Sequence, residues 1–159
     1  MKNNDFHTFS GYMKQEEHTL SASMEDYLEM IFRLSREKGF TRINELSESL
    51  NVQPPSATRM VQKLGIMGLI QYERYGVILL RAEGKRLGEL LLKKHDSIEA
   101  FFRLLGVREE SVLSETEKVE HTLKPETVEC FERCVGFLTA DAEIEARFRE
   151  YCANLNQGR

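Results

Sequence analysis

The stretch TRINELSESLNVQPPSATRMVQKLGIMGLI, residues 41–70, limits the possible folds more than any other part of the chain. Ile43, Leu46 and Leu50 recur at helical spacing and predict a short helix. Asn51, Val52 and Gln53 read as a tight turn. Pro54 and Pro55 suit the start of a second helix, where a missing N–H leaves no bond unmade. Ala57, Met60, Val61 and Leu64 form the buried stripe of that helix. Short helix, short turn, second helix is the helix-turn-helix pattern. Residues 69–81, LIQYERYGVILLR, follow as two short strands around Arg74, Tyr75 and Gly76, with Gly76 supplying the positive φ of the turn. A β-hairpin directly after a helix-turn-helix gives the winged form.

The flanking segments fit a mainly α chain. Residues 1–20 are polar and aperiodic, a flexible leader. Ser21 or Ser23 then offers a cap for an amphipathic helix carrying Met24, Tyr27, Leu28 and Ile31, which runs to about Lys38 and stops at Gly39. A long helix is predicted over 82–105. Its stripe of Leu87, Leu90, Leu91, Ile98, Phe101, Phe102 and Leu105 is more apolar than a peripheral helix needs, and reads partly as a dimer seam. Shorter helices are expected over 114–122, 125–138 (opened by Pro125) and 141–155. The division is a winged helix-turn-helix domain over 21–86 and an all-helical domain over 87–159.

Charge separates the same regions. The net charge of −4 argues against nucleic acid as a partner, but it is unevenly spread. Residues 41–94 hold nine Lys/Arg against five Asp/Glu, while 95–159 hold eight against fourteen. A basic middle beside an acidic end suggests one face for an anion and another for a cation. With Ala57, Met60, Val61 and Leu64 turned inward, Pro55, Thr58, Arg59 and Gln62 face outward. Arg59 can reach a guanine edge or a phosphate, and Gln62 can pair with adenine. Gln53, Ser56 and Lys63 flank that face, and Arg74 stands at the wing tip. Polar residues occur on every surface helix. It is their place in the helix-turn-helix-wing order, with the local positive charge, that points to double-stranded DNA. No membrane span or apolar N-terminal signal is visible, so the chain is expected to be cytoplasmic. Cys130, Cys134 and Cys152 lack framework spacing and read as reduced thiols. Cys130 and Cys134, one helical turn apart, read as small buried hydrophobes.

The segment ETEKVEH, residues 115–121, puts Glu117, Glu120 and His121 on one helical face. Ser114 to Glu117 also fits a capping box, which would account for Glu117 alone. On the first helix Asp26 and Glu29 stand opposite the core face, where solvent and an i,i+4 pair with Arg33 would also satisfy them. His95 lies at the edge of the long helix's apolar stripe, a usual place for a partly buried histidine. Together the six supply four carboxylates and two imidazoles without sulfur, a set for hard or borderline divalent ions such as Mn²⁺ or Fe²⁺. Two divalent cations would balance the four carboxylate charges. The helical domain is therefore read as a dimerisation and metal-binding domain.

Residues 22–155 closely resemble the diphtheria toxin repressor family of metalloregulators, in its manganese transport regulator type. The resemblance rests on SMEDYLEMIF, EKGFTRINELSESLNVQPPSATRMVQKL, YERYGVILL, KKHDSIEAFFRLLGV and ETEKVEHTL. It implies Asp26, Glu29, His95, Glu117, Glu120 and His121 as manganese ligands, two ions per subunit, and a homodimer on a pseudo-palindromic operator. It also implies repression of manganese-uptake genes. Iron-type members typically carry methionine at the position of Asp26 and cysteine at that of Glu117, so the carboxylates here favour Mn²⁺, with an Fe²⁺ or mixed response as the alternative. The chain departs from the family at Thr122, where a second histidine often follows the first, and at Arg81, where a threonine usually caps the long helix. A dinuclear-metal enzyme is the reading from another class. Against it, no nucleophile set or phosphate-binding loop accompanies the cluster, and no small-molecule substrate is expected.

Overall fold

The computed structural model describes residues 20–157; the side chains of Arg74 and of 155–157 lie outside that description. The expected leader lies outside it too, apart from Leu20, which is buried in the core. Helix α1 spans Ala22–Ser35, and Ser21 caps it by accepting a hydrogen bond from the Met24 amide. It ends three residues before Lys38, and the turn to Gly39, at φ 79°, closes on the Ser35 carbonyl. A short strand β1, Thr41–Arg42, leads into α2, Ile43–Ser49, and then α3, Pro54–Ile66, with its two prolines in the first turn. Between them Asn51 adopts φ 52°, a left-handed conformation that asparagine tolerates better than most residues.

The wing has three strands. Strand β2, Ile70–Tyr72, and strand β3, Val77–Leu80, pair antiparallel with Ile70 opposite Leu80. Strand β1 adds to the other edge of β3, Thr41 opposite Ile78. Two residues are too few to show an alternating pattern, so β1 was not among the predicted elements. Gly76 takes φ 74° as expected, and Tyr75 beside it takes φ 62° with its ring almost wholly exposed. One core joins these elements: Leu28, Ile31, Leu46, Ala57, Val61, Leu64, Ile70 and Ile78 pack together with almost no exposure.

Helix α4, Ala82–Leu104, starts at Arg81 without a side-chain cap. It lies directly against α1. A Cβ added at Gly88 would stand 2.6 Å from Cβ of Phe32, so only glycine allows this approach. Helix α5, Glu109–Val119, begins five residues before the expected start. Gly106, at φ 84°, turns the chain out of α4, and Glu109 and Glu110 suit the positive end of the next helix. Ser114 is therefore mid-helix, its hydroxyl donating to the Ser111 carbonyl, and the capping box does not form. Helices α6, Pro125–Thr139, and α7, Ala142–Gln157, complete the fold. Phe101 of α4 stacks on Phe131 of α6 with centroids 4.0 Å apart. The three thiols are free, but Cys130 is exposed and Cys134 and Cys152 only half-buried. The expectation that Cys130 and Cys134 serve as buried hydrophobes is thus corrected: the apolar side of α6 is covered too sparsely to enclose them.

Candidate metal centre and nucleic-acid interface

The six predicted residues arrive from three directions. Asp26 and Glu29 extend from α1, His95 from the middle of α4, and Glu117 from α5. Glu120 and His121 stand in the turn just after α5, where the Glu120 amide still bonds the Thr116 carbonyl. Five of the six form two triads that share one residue. Asp26, Glu120 and His121 make one, and Glu29, His95 and Glu120 the other, with the donor atoms of each triad within 4.8 Å of one another.

Glu120 is the shared member, and it is buried. Its Oε2 lies 2.9 Å from His95 Nδ1, and its Oε1 lies 3.5 Å from His121 Nε2. One carboxylate therefore faces both imidazoles, one oxygen each. Glu117 stands at the rim, half-exposed, its Oε1 3.9 Å from His95 Nδ1. A cavity of about 350 Å³ opens here, and Met30, Leu50 and Leu113 form its apolar wall.

The electrostatics fit a site for cations. Burial raises the Glu29 carboxyl above its ordinary value, although Arg33 opposes the shift. Burial and the Glu120 charge raise Glu117. Burial alone would lower His95, but its bond to Glu120 and the charges of Glu120 and Glu29 outweigh that and raise it. His121, hydrogen-bonded to Asp26 and Glu25, is pushed up to about 10. The carboxylates of Asp26, Glu25 and Glu120 thus draw the His121 ring toward its charged form. The donors are oxygen and imidazole nitrogen in two overlapping groups, which suits hard or borderline divalent ions.

Two carboxylates that the sequence reading did not single out back the imidazoles from outside. Glu25 Oε2 lies 2.7 Å from His121 Nδ1, so the ring's Nε2 is left facing Asp26, 2.6 Å away. Glu99 Oε1 lies 3.5 Å from His95 Nε2, and Arg103 holds its other oxygen at 2.8 Å. Such partners fix which nitrogen a histidine presents. Glu99 was findable, since it sits one helical turn after His95. Glu25 was not, because its neighbour Asp26 already accounted for an acid on that side of the helix.

The second candidate surface is the outer face of α3. Gln53, Pro55, Ser56, Arg59, Gln62 and Lys63 are exposed there. Among the described residues no hydrogen bond or ion pair engages the side chains of Arg59, Gln62 or Lys63. Thr58 differs: it is half-buried, and its hydroxyl donates to the Pro54 carbonyl at 2.9 Å, leaving only its oxygen to accept. Arg74 belongs to the turn between β2 and β3, but its side chain lies outside the described part. Arg42 steadies that turn by donating to the Tyr75 carbonyl.

Comparison with known proteins places the chain in a family. Residues 19–78 match the model of the iron dependent repressor, N-terminal DNA binding domain. Residues 81–149 match that of the iron dependent repressor, metal binding and dimerisation domain. An HTH-type transcriptional regulator MntR of Geobacillus thermodenitrificans (strain NG80-2) is 39% identical over 125 residues, 78% of this chain and 89% of the relative. Among solved structures, IdeR of T. acidophilum aligns with a TM-score of 0.63 and 27% identity, over 75% of this chain and 55% of that one. The manganese regulator SloR aligns at 0.63 and 29%, over 72% and 54%. The chain thus spans about half the length of these two solved relatives.

Proposed function

From the chain's membership of the iron-dependent repressor family, whose members are DNA-binding, metal-dependent transcriptional regulators rather than enzymes, we propose that it represses transcription in response to manganese. The observation that carries this reading is the single buried Glu120 shared by two triads of carboxylate and imidazole donors. We assign Asp26, Glu29, His95, Glu117, Glu120 and His121 as ligands to two ions per subunit. Carboxylates at positions 26 and 117, with no thiolate among the donors, favour Mn²⁺ over Fe²⁺.

When bound, the ions supply positive charge that holds acids of three separate elements together. The residues do the rest. Asp26 and Glu29 ride on α1, which packs into the reading domain's core through Leu28 and Ile31. His95, Glu117, Glu120 and His121 belong to the helical half. Drawing the two sets together fixes the orientation of α3 relative to the dimer. It populates the arrangement in which two copies of α3 match two half-sites. Gln53, Pro55, Ser56, Thr58, Arg59, Gln62, Lys63 and Arg74 are assigned to DNA, base edges falling to Arg59 and Gln62 and phosphates mainly to the others. The functional division is 21–86 for reading and 87–159 for dimerisation and sensing, on a pseudo-palindromic operator in the cytoplasm. Among the described residues no helix is long and apolar enough to cross a membrane.

The test begins with duplexes selected from a random library in Mn²⁺. These are titrated at one fixed salt concentration against Mn²⁺, Fe²⁺ and Zn²⁺. Mn²⁺ is expected to activate binding at the lowest free concentration, and Glu120→Gln to lose at least about 100-fold in metal-dependent affinity while keeping its helical spectrum. Binding by Glu120→Gln that matches the unaltered protein, with or without metal, would overturn the assignment. Activation by Fe²⁺ at lower concentration than Mn²⁺ would transfer the response to iron.

A further inference from the structure

Glu29 is occupied. Arg33, one helical turn along α1, donates from Nε to Glu29 Oε1 at 2.8 Å, and its Nη2 lies 2.6 Å from the same oxygen. Both contacts fall on Oε1, the oxygen 3.9 Å from His95 Nδ1 and therefore the one turned toward the cluster. Glu29 is nearly buried and Arg33 only partly so, and Arg33 lines the same cavity as the proposed ligands. A surface i,i+4 pair would be incidental, but here the guanidinium reaches inward to a buried carboxylate. It stands where a second cation would share that oxygen.

We propose that Arg33 is a resident competitor for Glu29, and that it sets how much free metal the Glu29–His95–Glu120 position requires. The proposal rests on the reading of Glu29 as a ligand. A cation that binds Glu29 Oε1 must displace the guanidinium or tolerate a unit positive charge beside it, and both raise the concentration needed. Arg33 thereby weakens the Glu29 position relative to the Asp26–Glu120–His121 position, where the described ion-pair partner of Asp26 is His121. It acts on affinity without touching the DNA-reading face.

The test uses the full chain, Mn²⁺ alone and no DNA. Free Mn²⁺ is counted by its electron paramagnetic resonance signal, with calorimetry as a second readout. Arg33→Met keeps the length and apolar stem of the side chain and removes the charge. It is expected to tighten the weaker of the two Mn²⁺ sites about tenfold and to leave the stronger within about twofold. Affinity unchanged or weakened at both sites would overturn the proposal, since Arg33 would then be a surface partner or a support that orients Glu29. Glu29→Gln separates this from the site reading. It is expected to weaken the same site, and if it binds Mn²⁺ as the unaltered protein does, the assignment of Glu29 fails and the competitor role fails with it.

Discussion

The two halves of the molecule are finished to different degrees. Residues 20–81 enclose one contiguous core in which Leu28, Ile31, Leu46, Leu64, Ile70 and Ile78 are closed off from solvent, and their exposed apolar side chains, Ile66, Met67, Tyr72 and Tyr75, stand at the end of α3 and in the wing. In residues 82–157 the interior is thin. Leu92, Ile98, Leu104, Val112 and Val128 are buried, while Leu90, Leu105, Leu113, Phe137 and Tyr151 remain exposed, and none of the described side chains of α7 is buried. The N-terminal half has the core of an independent folding unit. The C-terminal half has the surface of one side of an interface, as expected where a second copy supplies the missing neighbours. The donor cluster lies on the boundary and draws its residues from both halves, so the proposed sensor joins a half with a closed core of its own to one completed by association.

The strongest way to break this contrast is Leu28→Ala. Truncating a wholly buried leucine of the finished half should cost about 2–5 kcal/mol and lower the melting transition of that half at every protein concentration. A loss below about 1 kcal/mol in chemical denaturation would show that the N-terminal core does not stand alone. Next in size is Leu90→Glu, a charge placed on a half-exposed position of α4. The dimer dissociation constant should rise about 100-fold by sedimentation, with the far-ultraviolet spectrum kept. An unaltered dimer would move the interface away from that stripe. The smallest effect belongs to Arg59→Ala on the outer face of α3. DNA affinity should fall about 5- to 50-fold, and Mn²⁺ affinity should stay within about twofold. Equal loss of both would tie Arg59 to the fold instead of the duplex.

The same contrast separates what could be read in the sequence from what could not. The helix-turn-helix and wing were legible because local signals agree there: a helical period, two prolines at a helix start and a glycine at a turn. The order of elements and the core positions of α1 to α3 followed from those signals. Strand β1 was missed because its two residues hold a place only through pairing with β3. The start of α5 was misplaced because Ser114 and Glu117 imitate a cap, while the real boundary follows from Gly106 and the acids after it. Cys130 was expected inside because apolar neighbours suggest burial. Whether a thin interior closes over such a position depends on tertiary packing, which the local pattern does not contain. The candidate ligands were found by residue type and helical face. That Glu120 serves both histidines, and that Glu25 backs His121, depends on distances between elements far apart in the chain, whereas Glu99 and Arg33 each sit one helical turn from the residue they engage, within reach of a sequence reading.

The close seat of Phe32 on Gly88 has a mechanical consequence. A bulky ring resting on a bare backbone leaves no room to slide, so α1 and the first half of α4 travel as one piece. Helix α4 is 23 residues long, a lever of about 34 Å, with the reading domain riveted near one end and His95 further along the shaft. His95 stands seven residues beyond Gly88, about 10 Å along the axis, so a tilt of about 5° about His95 moves the seat of the reading domain by about 1 Å. An angular adjustment at His95 thus reaches the reading domain directly, without slack and without amplification.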